Sequence, residues 1–371
     1  MKVLVTDAEL TLSLAALRSL ARAGLEVVAL SWTPQAIGFR SRSVTTAIVG
    51  PAAVELDAFA EFVGRTVAEA KIGAILPVGQ DATMALAQRR DALPPEVAVA
   101  LPPVASIEVA MSKRRTTELA ASVGIRIPKT YAREEGVARF PAVAKHVTGS
   151  GEVRYLNSPD DLAGLNDEWL VQDYVPGEGR GLFALFNHGA PRAVFMHRRI
   201  REFPPTGGAS TMAESVDDAQ LRELGLRLLR KLDWHGVAMV EFKRERRDGG
   251  YTLMEVNPKL WGSLALAVAA GVDFPLLAVL LARGEPFEAP RYRVGLRFQW
   301  VAQDLLHAAA RPRSLPAVLR DLADPRVRKD VAWRDPLPAI AEAGATFKSA
   351  IQQAHAGVLR APHGTPDDRP G

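Results

Sequence analysis

The chain has 371 residues, 48% of them hydrophobic and 24% charged, with no cysteine and a formal net charge of +4 from 46 basic and 42 acidic side chains. That length can bury a real core and implies two or three domains or subdomains of an ordinary soluble globular protein. The absence of cysteine excludes disulfides and thiolate metal sites and points to a reducing compartment. The dense basic runs HRRIR (197–201) and KRERR (243–247) have no aromatic stacking platforms beside them, so no nucleic-acid partner is expected.

In chain order, MKVLVTDAEL enters a strand at once, without the apolar segment and cleavage site of a signal peptide, and the expected location is the cytoplasm. KVLVT is a predicted strand, TLSLAALRSLARAG an amphipathic helix closed by Gly24, and LEVVALS a second strand. ELDAFAEFVGRTVAEAKIG comes next as a helix closed by Gly73, then the strand AILPV, the helix DATMALAQRRDAL and the strand VAVALP. Such alternation predicts a parallel sheet covered on both faces over residues 1–105. The first strand–helix turn, TDAELTLS, carries no glycine, so a dinucleotide site of the G-x-G-x-x-G kind is not expected. Thr6, Asp7 and Asp81 stand at strand ends where open α/β sheets bind ligands, although helix capping explains them equally well.

The texture changes near Ser106. SIEVAMSKRRTTELAASVGIRIPKTY predicts a helix stopped at Gly124 and an extended segment at Pro128. Next come the strand FPAVAK, the turn TGSG, a second strand, and a helix begun by Ser158-Pro159-Asp160. Residues 169–203 predict three short strands around glycine-rich turns, which makes a small antiparallel module at about 140–184 within a larger unit at 106–289. After the helix DAQLRELGLRLLRKLDWHG, the strands VAMVEFKRE and YTLMEVN flank Asp248-Gly249-Gly250, a hairpin turn. LALAVAAGVDFPLLAVLLA (264–282) is long enough to span a membrane, but Asp273 and Pro275 interrupt it. Two short buried helices are expected there, and no membrane segment. Residues 290–350 predict a strand followed by helices, and 351–371 a disordered tail.

The hairpin carries the chemistry. Alternation puts Glu255 and Asn257 on one face, and antiparallel pairing brings Glu241 close to both. Two buried carboxylates and an amide would repel and lose hydration, which a hard cation such as Mg²⁺ relieves. Exposure or a local Lys or Arg explains either acid alone; the trio on paired strands favours a metal. Lys145 lies inside an apolar strand ahead of a turn whose backbone N–H groups could close over phosphate. Lys113 opens a helix, and Lys259 lies two residues beyond Asn257.

Five stretches stand in an order and spacing that carry a resemblance: MSKRRTTELAASVGIRIPKT, FPAVAKHVTGSG, WLVQDYVPGEG, GVAMVEFK and LMEVNPKLWGSLALAVAAGVDFP. With the N-terminal segment they make roughly residues 1–285 similar to the ATP-grasp enzymes. The branch is that of carboxylate–amine ligases, akin to the carbamoyl-phosphate-synthase and biotin-carboxylase group. The resemblance implies a mixed α/β and α+β chain, with a Rossmann-like parallel α/β domain followed by a two-subdomain ATP-grasp fold. It implies that Lys113 and Lys145 hold ATP phosphates, that Gln172, Asp173, Tyr174 and Val175 contact adenine largely through backbone, and that Glu178 contacts ribose. Glu241, Glu255 and Asn257 become the ligands of Mg²⁺, with Mn²⁺ as a substitute. Lys259 stands where many relatives carry arginine, keeping the charge without the bidentate geometry.

The same resemblance gives HRRIREFPPTGG a use, with Arg199 meeting a carboxylate or the transferring phosphoryl group near Gly207-Gly208; the plainer reading is a salt-bridged face. Trp261 is expected to pack in the core. The implied reaction activates a small carboxylate as an acyl phosphate, releases ADP, and joins the acyl group to an amine, with Arg199 and Lys259 as the catalytic candidates. Bicarbonate activation and a catalytically silent ATP-binding protein are the alternatives. Partners are then small molecules, and a homodimer is compatible with this.

Overall fold

A computed structural model describes the chain except for residues 133–135, 149–152, 206, 343 and 345–371. Most of the TGSG turn and the expected disordered tail therefore lie outside the described residues.

The first unit contains β1 (Lys2–Val5), α1 (Ser13–Arg22), β2 (Glu26–Ser31), β3 (Thr46–Val49), α2 (Leu56–Ala70), β4 (Ala74–Leu76) and α3 (Gln80–Gln88). Its sheet is parallel, in the order β3-β2-β1-β4. The stop of α2 is Lys71, in the left-handed region at φ +53°, two residues before the expected Gly73. VAVALP does not form a full strand. It gives one bridge, Ala98 to Ala74, because Pro94-Pro95 and Pro102-Pro103 confine it on both sides and supply no N–H to a ladder.

The expected helix from Ser106 is two, α4 (Val104–Met111) and α5 (Lys113–Ser122). Between them Ser112 caps α5 by accepting from the backbone N–H of Arg115, which places Lys113 at the first helical position. Next, β5 (Thr130–Tyr131), β6 (Ala142–His146), β7 (Val153–Leu156) and β8 (Trp169–Asp173) form a small antiparallel sheet in the order β5-β8-β6-β7. That sheet ends at Asp173, short of 184, because Pro176 breaks the chain and the strand beyond it belongs to another sheet.

That larger sheet holds β9 (Gly177–Asn187), β10 (Ala190–Phe203), β11 (Ala209–Ser215), β12 (Gly236–Glu245), β13 (Tyr251–Asn257), β14 (Arg297–Gln299) and β15 (Arg328–Lys329). Its order is β13-β12-β9-β10-β11-β14-β15. β9 and β10, with 11 and 14 residues, are longer than the short strands expected. The helices are α6 (Ala219–Lys231), α7 (Leu264–Ala270), α8 (Phe274–Ala282), α9 (Val301–Ala310) and α10 (Leu315–Ala323). α7 and α8 meet at 88°, and among the described residues no single helix is long and apolar enough to cross a membrane.

Alternation along β9 and β12 divides the core. Leu182, Ala184, Phe186, Ala238, Val240 and Phe242 pack with Leu221, Leu228 and Leu229 of α6. On the other face, Phe183, Leu185, Phe195 and Met239 share one cluster with Trp261, Leu264 and Phe274 and with Leu14 and Leu17 of α1. Arg201 anchors the C-terminal helices. It pairs with Asp304 through Nε and Nη2 at 2.8 and 2.7 Å, and with Asp321 through Nη1 at 2.7 Å.

Candidate functional site

At the end of the second face of the large sheet the packing stops and a cleft of about 870 Å³ opens, bounded also by the small sheet, α1 and the C-terminal segment. Strand alternation on β12 sends Met239, Glu241 and Lys243 into it. On β13 alternation alone would fail, since Tyr251 and Leu253 face the core and Glu255 would join them. The register shifts by one residue there, pairing Glu241 with Glu255 but Phe242 with Leu253, and the bulge at Met254 turns Glu255 and then Asn257 towards the cleft. Asn257 donates its Nδ2–H to Glu255 Oε1 at 2.7 Å.

Arg199 comes from β10 and crosses β9 to reach β12. Its Nη2 lies 2.6 Å from Glu241 Oε1, and its Nη1 donates to the carbonyl of Gly208 at 3.1 Å. A Cβ at Gly179 would stand 2.8 Å from Arg199 Cδ, so glycine on β9 makes room for the crossing. Gly208 is equally constrained, with Phe203 O only 2.0 Å from where a Cβ would sit.

Lys113 and Lys145 face this acidic floor from the other side. The backbone N–H of Lys113 donates to Val147 O at 2.9 Å, which ties the start of α5 to the end of β6. Burial pulls both ammonium groups below the usual lysine range, while Glu255 pushes both up and Glu241 adds to that at Lys145. Burial likewise raises Glu241 to about 7; Arg199 opposes this and Glu255 reinforces it. Lys259 lines the cleft nearby.

The segment expected at adenine runs along the edge of the cleft. Asp173, Tyr174 and Val175 line the cleft, with the Tyr174 ring 5.9 Å from Tyr155 and the Lys243 ammonium 5.1 Å from the Tyr174 ring. Gln172 pairs with Val143 and so shares the cleft face of the small sheet, but it is 4% exposed and its side chain donates to Thr130 Oγ1 without lining the cleft. Glu178 is not brought to the cleft. It alternates with Gly179, points to the opposite face, and pairs there with Arg180 at 3.2 Å and Arg198 at 3.5 Å.

Sequence reasoning assigned no role to His197 or Lys243, and Ser263 was expected only to pack close to the site. His197 Nε2 is 2.7 Å from Ser263 Oγ, its ring stacks on Phe183 with centroids 4.7 Å apart, and burial with Arg199 nearby drops its pKa to about 3. Lys243 and His197 each lie two residues along a strand from a named candidate, a signal that would have found them. Trp261 packs as expected, 4.5 Å from Phe183 and edge-on to Phe274, while also reaching the cleft wall.

Among the described residues no three His, Cys, Asp or Glu side chains cluster as a metal site. The trio here is two carboxylates and an amide, all hard oxygen donors, and the raised Glu241 beside Glu255 is the electrostatic strain that a hard dication relieves. The donor set fits Mg²⁺.

A family model described as "ATP-grasp in the biosynthetic pathway with Ter operon" matches residues 166–304. No curated protein matches the chain by sequence. Among solved structures, N5-carboxyaminoimidazole synthetase from Staphylococcus aureus complexed with ADP is similar at TM-score 0.65 and 13% identity, covering 85% of this chain and 86% of that one. The L-amino acid ligase from Bacillus licheniformis gives 0.62 and 16%, covering 77% and 75%. The biotin carboxylase domain dimer of Hydrogenobacter thermophilus 2-oxoglutarate carboxylase, in complex with MgADP, ADP and bicarbonate, gives 0.60 and 16%, covering 80% and 73%.

Proposed function

We propose that this chain, an ATP-grasp protein, is an ATP-dependent ligase that activates a small-molecule carboxylate as an acyl phosphate and joins it to an amine. The observation that carries the reading is the meeting of Glu241, Glu255 and Asn257 with Lys113, Lys145 and Arg199 in one cleft. Acidic oxygens and Arg199 on one wall, with Lys113 and Lys145 facing them, suit a metal-bound polyphosphate.

In this reading Lys113 and Lys145 bind phosphate oxygens, and Tyr174 and Val175 sit against the base. Mg²⁺, held by Glu241, Glu255 and Asn257, neutralises charge on the phosphates when bound. Arg199 orients the substrate carboxylate, and Lys259 adds positive charge to the same end. A carboxylate oxygen attacks the γ-phosphorus, the bond to the bridging oxygen breaks, and ADP leaves. The amine then attacks the acyl carbon, expels phosphate and loses a proton. Positioning and charge neutralisation supply most of such catalysis. The small sheet keeps water from the acyl phosphate.

An organic acid is favoured over bicarbonate because the cleft is also lined by Leu10, Ala265, Val268 and Ala269, apolar surface that bicarbonate would leave uncovered. The test is nucleotide analysis with Mg·ATP and pooled carboxylic acids and amines, beside the Glu255→Ala protein. Substrate-stimulated ADP and phosphate, absent in the variant, are expected. AMP and pyrophosphate would overturn the mechanism, and undiminished turnover by Glu255→Ala would overturn the metal assignment.

A further inference from the structure

Part of the cleft is a chamber lined by α1 and by the C-terminal segment from β14 onward, which the nucleotide reading does not use. Leu14 and Arg18 stand at i, i+4 on one face of α1, Leu10 lies in the turn before it, and Phe298 and Trp300 stand in the same chamber. Asp330 and Glu342 also line it. Glu342 is 9% exposed, and its Oε1 has no hydrogen-bond partner among the described residues. A buried carboxylate oxygen without a partner is costly, and a donor from a ligand would relieve it.

The cations lining the chamber do not supply that donor. Arg18 gives its Nε to Asp335 Oδ2 at 2.9 Å and its Nη2 to the Asp335 carbonyl at 3.2 Å. Lys329 gives its ammonium to the carbonyls of Asp324 and Val327 at 2.9 and 3.0 Å. Arg22 lies a further turn along α1 from Arg18. Asp330 is tied on one side, accepting from the backbone N–H of Val301 at 3.1 Å. Asp330 repels the Glu342 carboxylate and Arg18 attracts both, so the two acids share one electrostatic neighbourhood.

We infer that this chamber binds the amine substrate, its ammonium group on the carboxylates of Glu342 and Asp330 and its carbon chain along Leu14, Phe298 and Trp300. The assignment rests on the ligase reading and deepens it to a primary amine with an apolar chain. An ammonium brings three N–H donors to the unpartnered acid, and apolar walls remove a hydrocarbon from water. The amine would approach from the side of Arg199 remote from Tyr174 and Val175, to reach the acyl phosphate.

The test uses the full chain with saturating Mg·AMP-PNP and follows the melting temperature as n-hexylammonium, hexanoate or n-hexanol is added. Hexylammonium is expected to stabilise the protein more than either of the others. Glu342→Gln should weaken the apparent affinity for hexylammonium by roughly tenfold or more, the scale of one charged hydrogen bond. Phe298→Ala should weaken hexylammonium and hexanol alike. If Glu342→Gln shifts the melting of the protein without additives, Asp330→Asn reads out the same loss. Hexylammonium affinity unchanged in both acid variants, or hexanoate binding that Glu342→Gln and Asp330→Asn weaken as much as they weaken hexylammonium, would overturn the assignment. Failure of the ligase reading is separately visible. Hexylammonium binding without ADP formation would leave the site and refute the ligase, whereas ADP formation without hexylammonium binding would do the reverse.

Discussion

Replacing Gly179 by alanine isolates the crossing of Arg199 over β9. The added Cβ would stand 2.8 Å from Arg199 Cδ, 3.4 Å from its Cγ and 3.1 Å from Glu202 Oε1. Carbon atoms rest at about 3.5–4.0 Å, so the arginine stem must retreat by about 1 Å. Cδ lies between backbone and guanidinium, and its displacement reaches the head group, which holds Glu241 at 2.6 Å and the Gly208 carbonyl at 3.1 Å. Contacts lengthened by that much no longer count as hydrogen bonds. Overpacking of this kind costs about 1–3 kcal/mol of stability. Misplacing a positioning group by about 1 Å costs on the order of a hundredfold in turnover. The assay is substrate-stimulated ADP release beside thermal melting. Expected is a folded variant with a modestly lower melting temperature and turnover reduced on the order of a hundredfold. Full turnover would refute the view that Arg199 must be held across β9.

Two further outcomes concern groups away from the nucleotide. Asp304→Ala strands Arg201, a 9% exposed guanidinium, with Asp321 alone, and should cost about 3–5 kcal/mol in urea denaturation; a loss below about 1 kcal/mol would show that the network anchors nothing. Burial first, and Asp330 second, raise the Glu342 carboxyl from 4.5 to about 7. The folded chain thus binds that proton more tightly than the unfolded chain. Its stabilising contribution is complete below about 4.5 and is lost as pH rises through about 7. Glu342→Gln should therefore flatten the fall in melting temperature between pH 5 and pH 8, and parallel curves would refute the burial argument.

The site residues that the sequence made legible were those on strands with a strong apolar partner set. Lys145 was conspicuous inside FPAVAK, and Glu241 inside GVAMVEFK, because a charge among core positions needs a reason. Glu255 and Asn257 were placed on one face correctly, but for β13 as a whole plain alternation was insufficient. The bulge at Met254 decides the face, and no residue there announces it. Glu178 was misplaced for a related reason. Gly177, Gly179 and Gly181 leave the cleft side of β9 without side chains, so the pattern that marks inside and outside is blank. Gln172 and its neighbours matched a segment, yet the segment divides between a buried amide and residues at the cleft. The chamber acids were invisible because nothing in the predicted strand and helices of 290–350 ties Asp330 or Glu342 to the site, and it is the pairing of β14 with β11 and of β15 with β14 that brings that part there.

The shared cluster on the second face of the large sheet has a consequence for how local order spreads. Val3, Val5, Val27 and Ala29 of β1 and β2 lie in one contiguous core with Phe183, Met239 and Trp261, whose neighbours floor the cleft. Opening the first unit would bare the side of α7 and α8 that it covers, so the two regions melt as one cooperative block. A nucleotide that binds only the closed block stabilises all of it. Amide protons of the parallel sheet, which touch no ligand, would then exchange more slowly when the distant cleft is filled.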